Sequence, residues 1–274
     1  MDIASILGLI IGFGSIAGGY AMDGGNVGKL LMASAFVITL GGSLGAVFAC
    51  YGMNQLKNLP KMLIEVLIKP KSTIRSTMDY LLFLSKTARE SGLLSLEKLI
   101  SAEDPKKKTD PFLKRGILMV VDGTDPDKIS DILSNDIYVF EQNRSQNIQM
   151  LDSFAAFCPA FGMVGTIIGL IQVLAAGMED PNALTKAIGV AFITTLYGVL
   201  LANLIFIPTA TKLRSRLANY RLEKEMIIEA VCSIRNSVNP RLLNEQLSSY
   251  LIIEGKNKTK ASKDQSDNKG QMKK

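Results

Sequence analysis

The chain has 274 residues, with 31 Lys and Arg against 25 Asp and Glu for a net charge of +6, no histidine, and a mean hydropathy of only +0.22. The missing histidine excludes a Ser-His-Asp triad and a Cys-His nucleophile, and Cys50, Cys158 and Cys232 stand too far apart in sequence to form a zinc site. The basic residues are dispersed along the chain, which is not the footprint of a nucleic-acid binder, so no nucleic-acid partner is expected.

Averages conceal the pattern that matters. Charges are absent from Ile3 to Met22 (20 residues), Leu30 to Leu56 (27), Ser153 to Met178 (26) and Ala187 to Thr211 (25). A bilayer core about 30 Å thick needs roughly 20 apolar residues of helix, whereas ordinary buried helices average about 11–12. All four stretches are therefore read as membrane spans. The first has no positive region before it and is rich in glycine (Gly8, Gly12, Gly14, Gly18, Gly19), which suits helix packing better than cleavage of a signal peptide. A glycine turn, Met22 to Lys29, leads into the second span.

The segment from Lys57 to Asp152 reads as helical and polar-faced. Pro60 opens an amphipathic helix carrying Met62, Leu63, Val66 and Leu67. Ile74, Met78, Leu81, Leu82, Leu84 and Ala88 recur at helical spacing, after which Arg89, Glu90, Glu97 and Lys98 place opposite charges around a break at Gly92. Gly92 is expected to end one helix and Ser95 to cap the next. Asp125-Pro126 is a cap followed by proline at the first helical position, and it launches a helix bearing Ile129, Ile132, Leu133, Ile137, Phe140 and Ile148.

The third span carries Pro159-Ala-Phe-Gly162, and its Gly162, Gly165 and Gly169 fall on one face. The fourth carries Ala187, Ala191, Thr194 or Thr195, Gly198 and Ala202 on one face. Small faces allow membrane helices to approach closely, so helix packing is the plain reading of both. Thr166, Thr194 and Thr195 lie at one depth and can offer oxygens to a cation or to water, or can bond their own preceding carbonyls. Pro159 and Pro208 sit toward the same end of these spans and can bend or end a helix. Beyond Thr211, Leu213, Leu217, Tyr220, Ile227, Val231 and Ile234 form a stripe on a helix expected to stop before Pro240, and 255–274 reads as a disordered polar tail.

Of the 31 basic residues only Lys29 and Lys186 lie in the short turns between paired spans. The positive-inside rule then places both termini and the middle segment in the cytoplasm. The expected fold is an all-α integral membrane protein, N-in and C-in. Spans occupy 1–56 and 153–211, a cytoplasmic helical domain 57–152, and C-terminal helices 212–254. No GxGxxG, Walker loop or HExxH motif is present, so neither enzyme activity nor a resident cofactor is expected. None of the spans contains Asp, Glu, Lys, Arg or His. Cation-coupled membrane machines need an ionisable group, so the chain either moves no ions or borrows an acid from a partner helix.

The four-span layout, Arg89-x-x-Gly92 followed by Leu96-Glu97, Pro159-Ala-Phe-Gly162 and Pro208 together resemble the MotA/PomA flagellar stator subunits, over Met1 to about Leu251. That resemblance implies five subunits around two copies of a single-span MotB or PomB partner, which supplies the membrane aspartate. It implies that Arg89 and Glu97, with Glu90 and Lys98 as lesser candidates, contact the rotor protein FliG. It implies that Pro159 and Pro208 gate the ends of the last two spans, and that Thr166 and Thr195, with Thr194 as neighbour, line the ion route. Protons are the expected ion, and the Thr166 hydroxyl raises sodium as the alternative. The rivals are an ExbB/TolQ-like energy-transducing ring, which has three spans with the N-terminus outside, and a membrane scaffold without ion flow.

Overall fold

The computed structural model describes residues 2–68, 74–101, 110–176 and 181–251, among which every regular element is helical. The tail expected at 255–274, and Glu179 and Asp180 of the turn between the last two spans, lie outside the described residues. Among the described residues four helices are long and apolar enough to cross a membrane. The chain divides into two compact units, Met1–Lys69 with Asn143–Arg216, and Pro70–Gln142 with Leu217–Lys274.

In the first unit, Ile3–Met22 buries none of its residues within the chain. Ile3, Leu7, Ile10 and Ile11 are all more than half exposed, an arrangement that suits lipid and not water. The second span is shorter than its charge-free stretch. A 3₁₀ turn at Val27–Leu30, capped by the Asn26 side chain, precedes the helix. The helix then runs as Ala33–Phe36, a π turn at Val37–Gly41, and Gly42–Cys50.

Gly52 separates this span from a single turn at Met53–Leu56 and from the amphipathic helix Leu59–Leu67, which carries Pro60 in its first turn and buries Met62 and Val66. The C-terminal carbonyls of that helix would be orphaned. Arg216 satisfies them, donating to the carbonyls of Glu65 (2.5 Å), Val66 (3.2 Å) and Ile68 (2.6 Å). The Asp2 amide donates to the Leu67 carbonyl (2.7 Å). Arg144 pairs with Glu65, and Arg214 with Asp152.

The last two spans are parts of much longer helices. One helix runs unbroken over Pro126–Ala176, so the stretch beginning at Ser153 continues a helix launched at Pro126. The physical reason is local: no glycine or proline occurs between Pro126 and Pro159 to stop it. The other comprises Pro181–Leu200, a π turn at Leu201–Phe206, and Ile207–Arg235.

The second unit is held by a core that includes Leu81, Leu84, Leu96, Ile117, Leu133, Val231 and Leu247. Its helices are Ile74–Ser91, Leu94–Ser101, Pro111–Val121, the parts of the two long helices that fall in this unit, and 240–251. The Asp125 side chain accepts from the Asp127 amide at 3.0 Å, as a cap before Pro126 should. Ile129, Leu133 and Ile137 are buried, whereas Ile132 and Phe140 are 39% and 42% exposed. The last long helix ends at Arg235, before Pro240 as its sequence indicates. Lys224, 5% exposed, pairs with Asp110 and lies 5.1 Å and 4.9 Å from the ring centres of Phe112 and Tyr220.

Candidate functional site

Within the first unit the third and fourth spans meet along the small faces read from the sequence. A Cβ added to Gly162 would lie 3.0 Å from the Thr194 carbonyl oxygen, and one on Gly169 would lie 2.8 Å from that of Ala187. One on Gly198 would fall 2.5 Å from the carbonyl of Cys158 and 3.0 Å from the Cα of Pro159. In each case the obstacle is backbone, which cannot rotate away, so these glycines set the distance between the helices. Gly165 receives the side chain of Thr194, and Ala187, Ala191 and Ala202 are buried.

This close approach brings Thr166 and Thr195 together, with their hydroxyl oxygens 2.5 Å apart. The Thr166 hydroxyl also lies 3.0 Å from the Ala191 carbonyl and 3.2 Å from that of Gly162, and Thr195 is 3.4 Å from both carbonyls. Two hydroxyls and two carbonyls thus converge. A hydroxyl has one proton and two lone pairs. The pair can donate two hydrogen bonds, one of them internal, and still present lone pairs outward. Both threonines are partly buried. The bond from Thr166 back to Gly162, four residues earlier, coexists with the cross-helix contact.

Thr194 does something else. It is fully buried, and its hydroxyl donates to the Ala191 carbonyl at 2.9 Å. Its own carbonyl accepts from the Thr39 hydroxyl at 3.2 Å. Thr39 belongs to the π turn of the second span, and Ser43 donates to the Thr39 carbonyl at 2.6 Å. Tyr197 completes the grip, donating to the Leu30 carbonyl (2.5 Å) and accepting from the Met32 amide (3.1 Å). The second span therefore fixes the rotation of the fourth. Sequence reading passed over Thr39, Ser43 and Tyr197; hydroxyls four residues apart in a charge-free span were the available signal.

Pro159 lies inside its helix without ending it. Pro208 lies two residues beyond the π turn Leu201–Phe206, whose wider ring accommodates the missing donor and the proline ring. The Thr209 hydroxyl donates to the Ile205 carbonyl at 2.6 Å beside it.

In the second unit, Arg89 and Glu90 occupy the last turn of Ile74–Ser91, while Glu97 and Lys98 lie on Leu94–Ser101. All four are exposed, and Leu96 and Ile100 root the second helix in the core. Gly92, at φ +82°, makes the break between the helices, a conformation that a side chain would strain. Ser95 departs from its expected role as the cap. The helix has already begun at Leu94, and the Ser95 hydroxyl donates back to the Gly92 carbonyl at 2.6 Å. Gly92 lets the chain turn so that the second helix begins two residues later.

Comparison with known proteins places this geometry. The profile of the motility protein A N-terminal region matches residues 6–92, and that of the MotA/TolQ/ExbB proton channel family matches 104–226. Motility protein A of Borreliella burgdorferi is 36% identical over 251 residues, covering 92% of this chain and 94% of that protein. The chain belongs to the motility protein A family. Chemotaxis protein PomA of Vibrio alginolyticus is 32% identical, over 92% of this chain and 96% of its own length. Among solved structures, C. jejuni MotAB superposes with a TM-score of 0.84 at 27% identity, covering 91% of this chain and 96% of the matched one. The MotAB stator complex of Bacillus subtilis gives 0.83 at 27% identity, covering 94% and 99%. The family and the four apolar helices together make this a multi-pass membrane protein.

Proposed function

We propose that this chain is the ring-forming subunit of a flagellar stator, which conducts protons with a single-span MotB-type partner and converts the ion-motive force into torque. The observation that carries the reading is the Thr166–Thr195 oxygen cluster, set in spans that contain no acid of their own. Polar atoms wait at the helix interface, and the carboxylate that would hand them a proton must come from another helix. The matched structures include a MotAB stator complex, and the partner's aspartate supplies the missing group.

The subunit is read as N-in and C-in, five copies surrounding two partner helices. Neutralising the aspartate frees it from one subunit and lets the next engage. Each charge moved contributes about 2.3 kcal/mol per 100 mV. Arg89, Glu90, Glu97 and Lys98 meet FliG, and Pro159 and Pro208 are the points at which the spans yield. Sodium is the alternative ion. It requires several oxygen ligands, and the two threonines with the Gly162 and Ala191 carbonyls are those this chain can offer.

The test is flux in vesicles containing the chain with and without a co-purified single-span partner, driven separately by proton and by sodium gradients. Partner-dependent proton uptake supports the reading. Sodium dependence replaces the ion, and absence of flux with the partner present leaves only a scaffold.

A further inference from the structure

The first span, the amphipathic helix Leu59–Leu67 and the end of the π turn line an open pocket of about 500 Å³. Its walls include Leu9 and Phe13, Leu63 and Leu67, and Leu204 and Pro208. This is the size of a ligand pocket, typically about 300–1,000 Å³. Gly8 also lines it, and a Cβ there would meet nothing within 4 Å, so the space is open at that point.

Two hydroxyls, those of Ser5 and Thr209, interrupt its otherwise apolar lining. The Ser5 hydroxyl accepts from the Lys212 ammonium. Thr209, the other hydroxyl in the wall, is turned to the Ile205 carbonyl. Lys212 and Arg216 share a single carboxylate, Asp2, at 2.5 Å and 3.9 Å. The neighbouring carboxylates are already engaged, Glu65 by Arg144 and Asp152 by Arg214. A positive surplus therefore stands at the mouth of an apolar cavity in a membrane-spanning unit. That combination complements an anionic head joined to a hydrocarbon tail.

We infer that this cavity is a lipid site, taking one acyl chain of an anionic glycerophospholipid whose phosphate rests on Lys212. The inference rests on the membrane-spanning reading of the first and fourth helices, and not on torque or ion flow. The occupant would lie against Leu204 and Pro208, at the end of the π turn.

The test is photolabelling of the full chain in membrane vesicles, using phosphatidylglycerol with a diazirine at mid-chain and the matching phosphatidylcholine as control, followed by peptide mapping. Labelling is expected on the peptides holding Leu63–Leu67 and Leu204–Thr209, in excess with phosphatidylglycerol. Lys212→Gln should lower it about fivefold, the worth of one basic residue at a membrane surface. Gly8→Phe should fill the cavity and remove labelling at both peptides while leaving helical content and assembly size unchanged. Labelling confined to the outer face of the first span, or indifferent to Gly8→Phe in a folded variant, overturns the site. Cross-links joining these peptides to a second copy of the chain, in place of lipid adducts, overturn it too. Either result leaves the proton-flux reading standing, because flux is measured separately.

Discussion

The Thr39 hydroxyl, in the second span, donates to the main-chain carbonyl of Thr194 at 3.2 Å, and both residues are fully buried. The bond ties a π turn to the residue immediately before Thr195. Thr39→Val keeps the shape and removes the donor, and should lower thermal stability by about 0.6 kcal/mol, the mean for hydrogen bonds between membrane helices. Thr39→Ser should retain most of it. Thermal melts in detergent measure both, and equal melting of the two variants would assign the tie no energetic role.

Thr195→Val should reduce proton flux about tenfold or more, a barrier change of about 1.4 kcal/mol, while Thr195→Ser should keep it. Thr194→Val should leave flux close to the parent, because that hydroxyl is spent on the Ala191 carbonyl. Vesicle flux with the partner present gives all three values. A Thr194 variant as impaired as Thr195→Val would show that packing, and not the hydroxyl pair, limits conduction.

Gly198→Ala places a methyl group 2.5 Å from the Cys158 carbonyl oxygen and should destabilise by about 1–3 kcal/mol, the usual cost of overpacking. Gly14→Ala meets nothing within 4 Å and should be tolerated. Recovery of folded protein and midpoint of thermal unfolding compare them.

Asp110 caps the helix Pro111–Val121 through the Phe112 amide and also neutralises Lys224, whose side chain is 6% exposed against 35% for Asp110. Losing Asp110 strands a buried cation, so Asp110→Ala should cost about 3–5 kcal/mol. Lys224→Met leaves a carboxylate that water can still reach, and should cost far less. Denaturant unfolding of the two variants measures the asymmetry; equal losses would contradict it.

Arg89→Glu should abolish or slow rotation while the complex assembles normally, and Glu97→Lys should act in the same direction. Tethered-cell rotation read beside membrane levels of the complex separates torque from assembly. Full-speed rotation in both variants would move the rotor contact elsewhere.

The spans were legible because charge is too costly in a bilayer to be hidden by averaging, and the glycine and alanine faces were legible because close approach admits little else. Three things were not. The length of the third helix was hidden by reading the change of polarity near Ser153 as an element boundary, although backbone helicity is indifferent to the solvent on either side. The π turns at Val37–Gly41 and Leu201–Phe206 have no residue signature beyond the nearby Pro208. The choice between Thr194 and Thr195 needed the rotation of the fourth helix, and that is set by Thr39 and Tyr197, which lie far away in sequence or look unremarkable in it.

The acid-free spans have a consequence for the living cell. A copy of this subunit made in excess has no ionisable side chain in its spans, so on the proposed conduction path surplus protein in the membrane should not short-circuit the gradient that drives everything else. Leakage is then expected only when the carboxylate-bearing helix arrives. On that reading the two proteins could be synthesised in loose proportion, because the acid half of the proposed conduction path is absent until assembly.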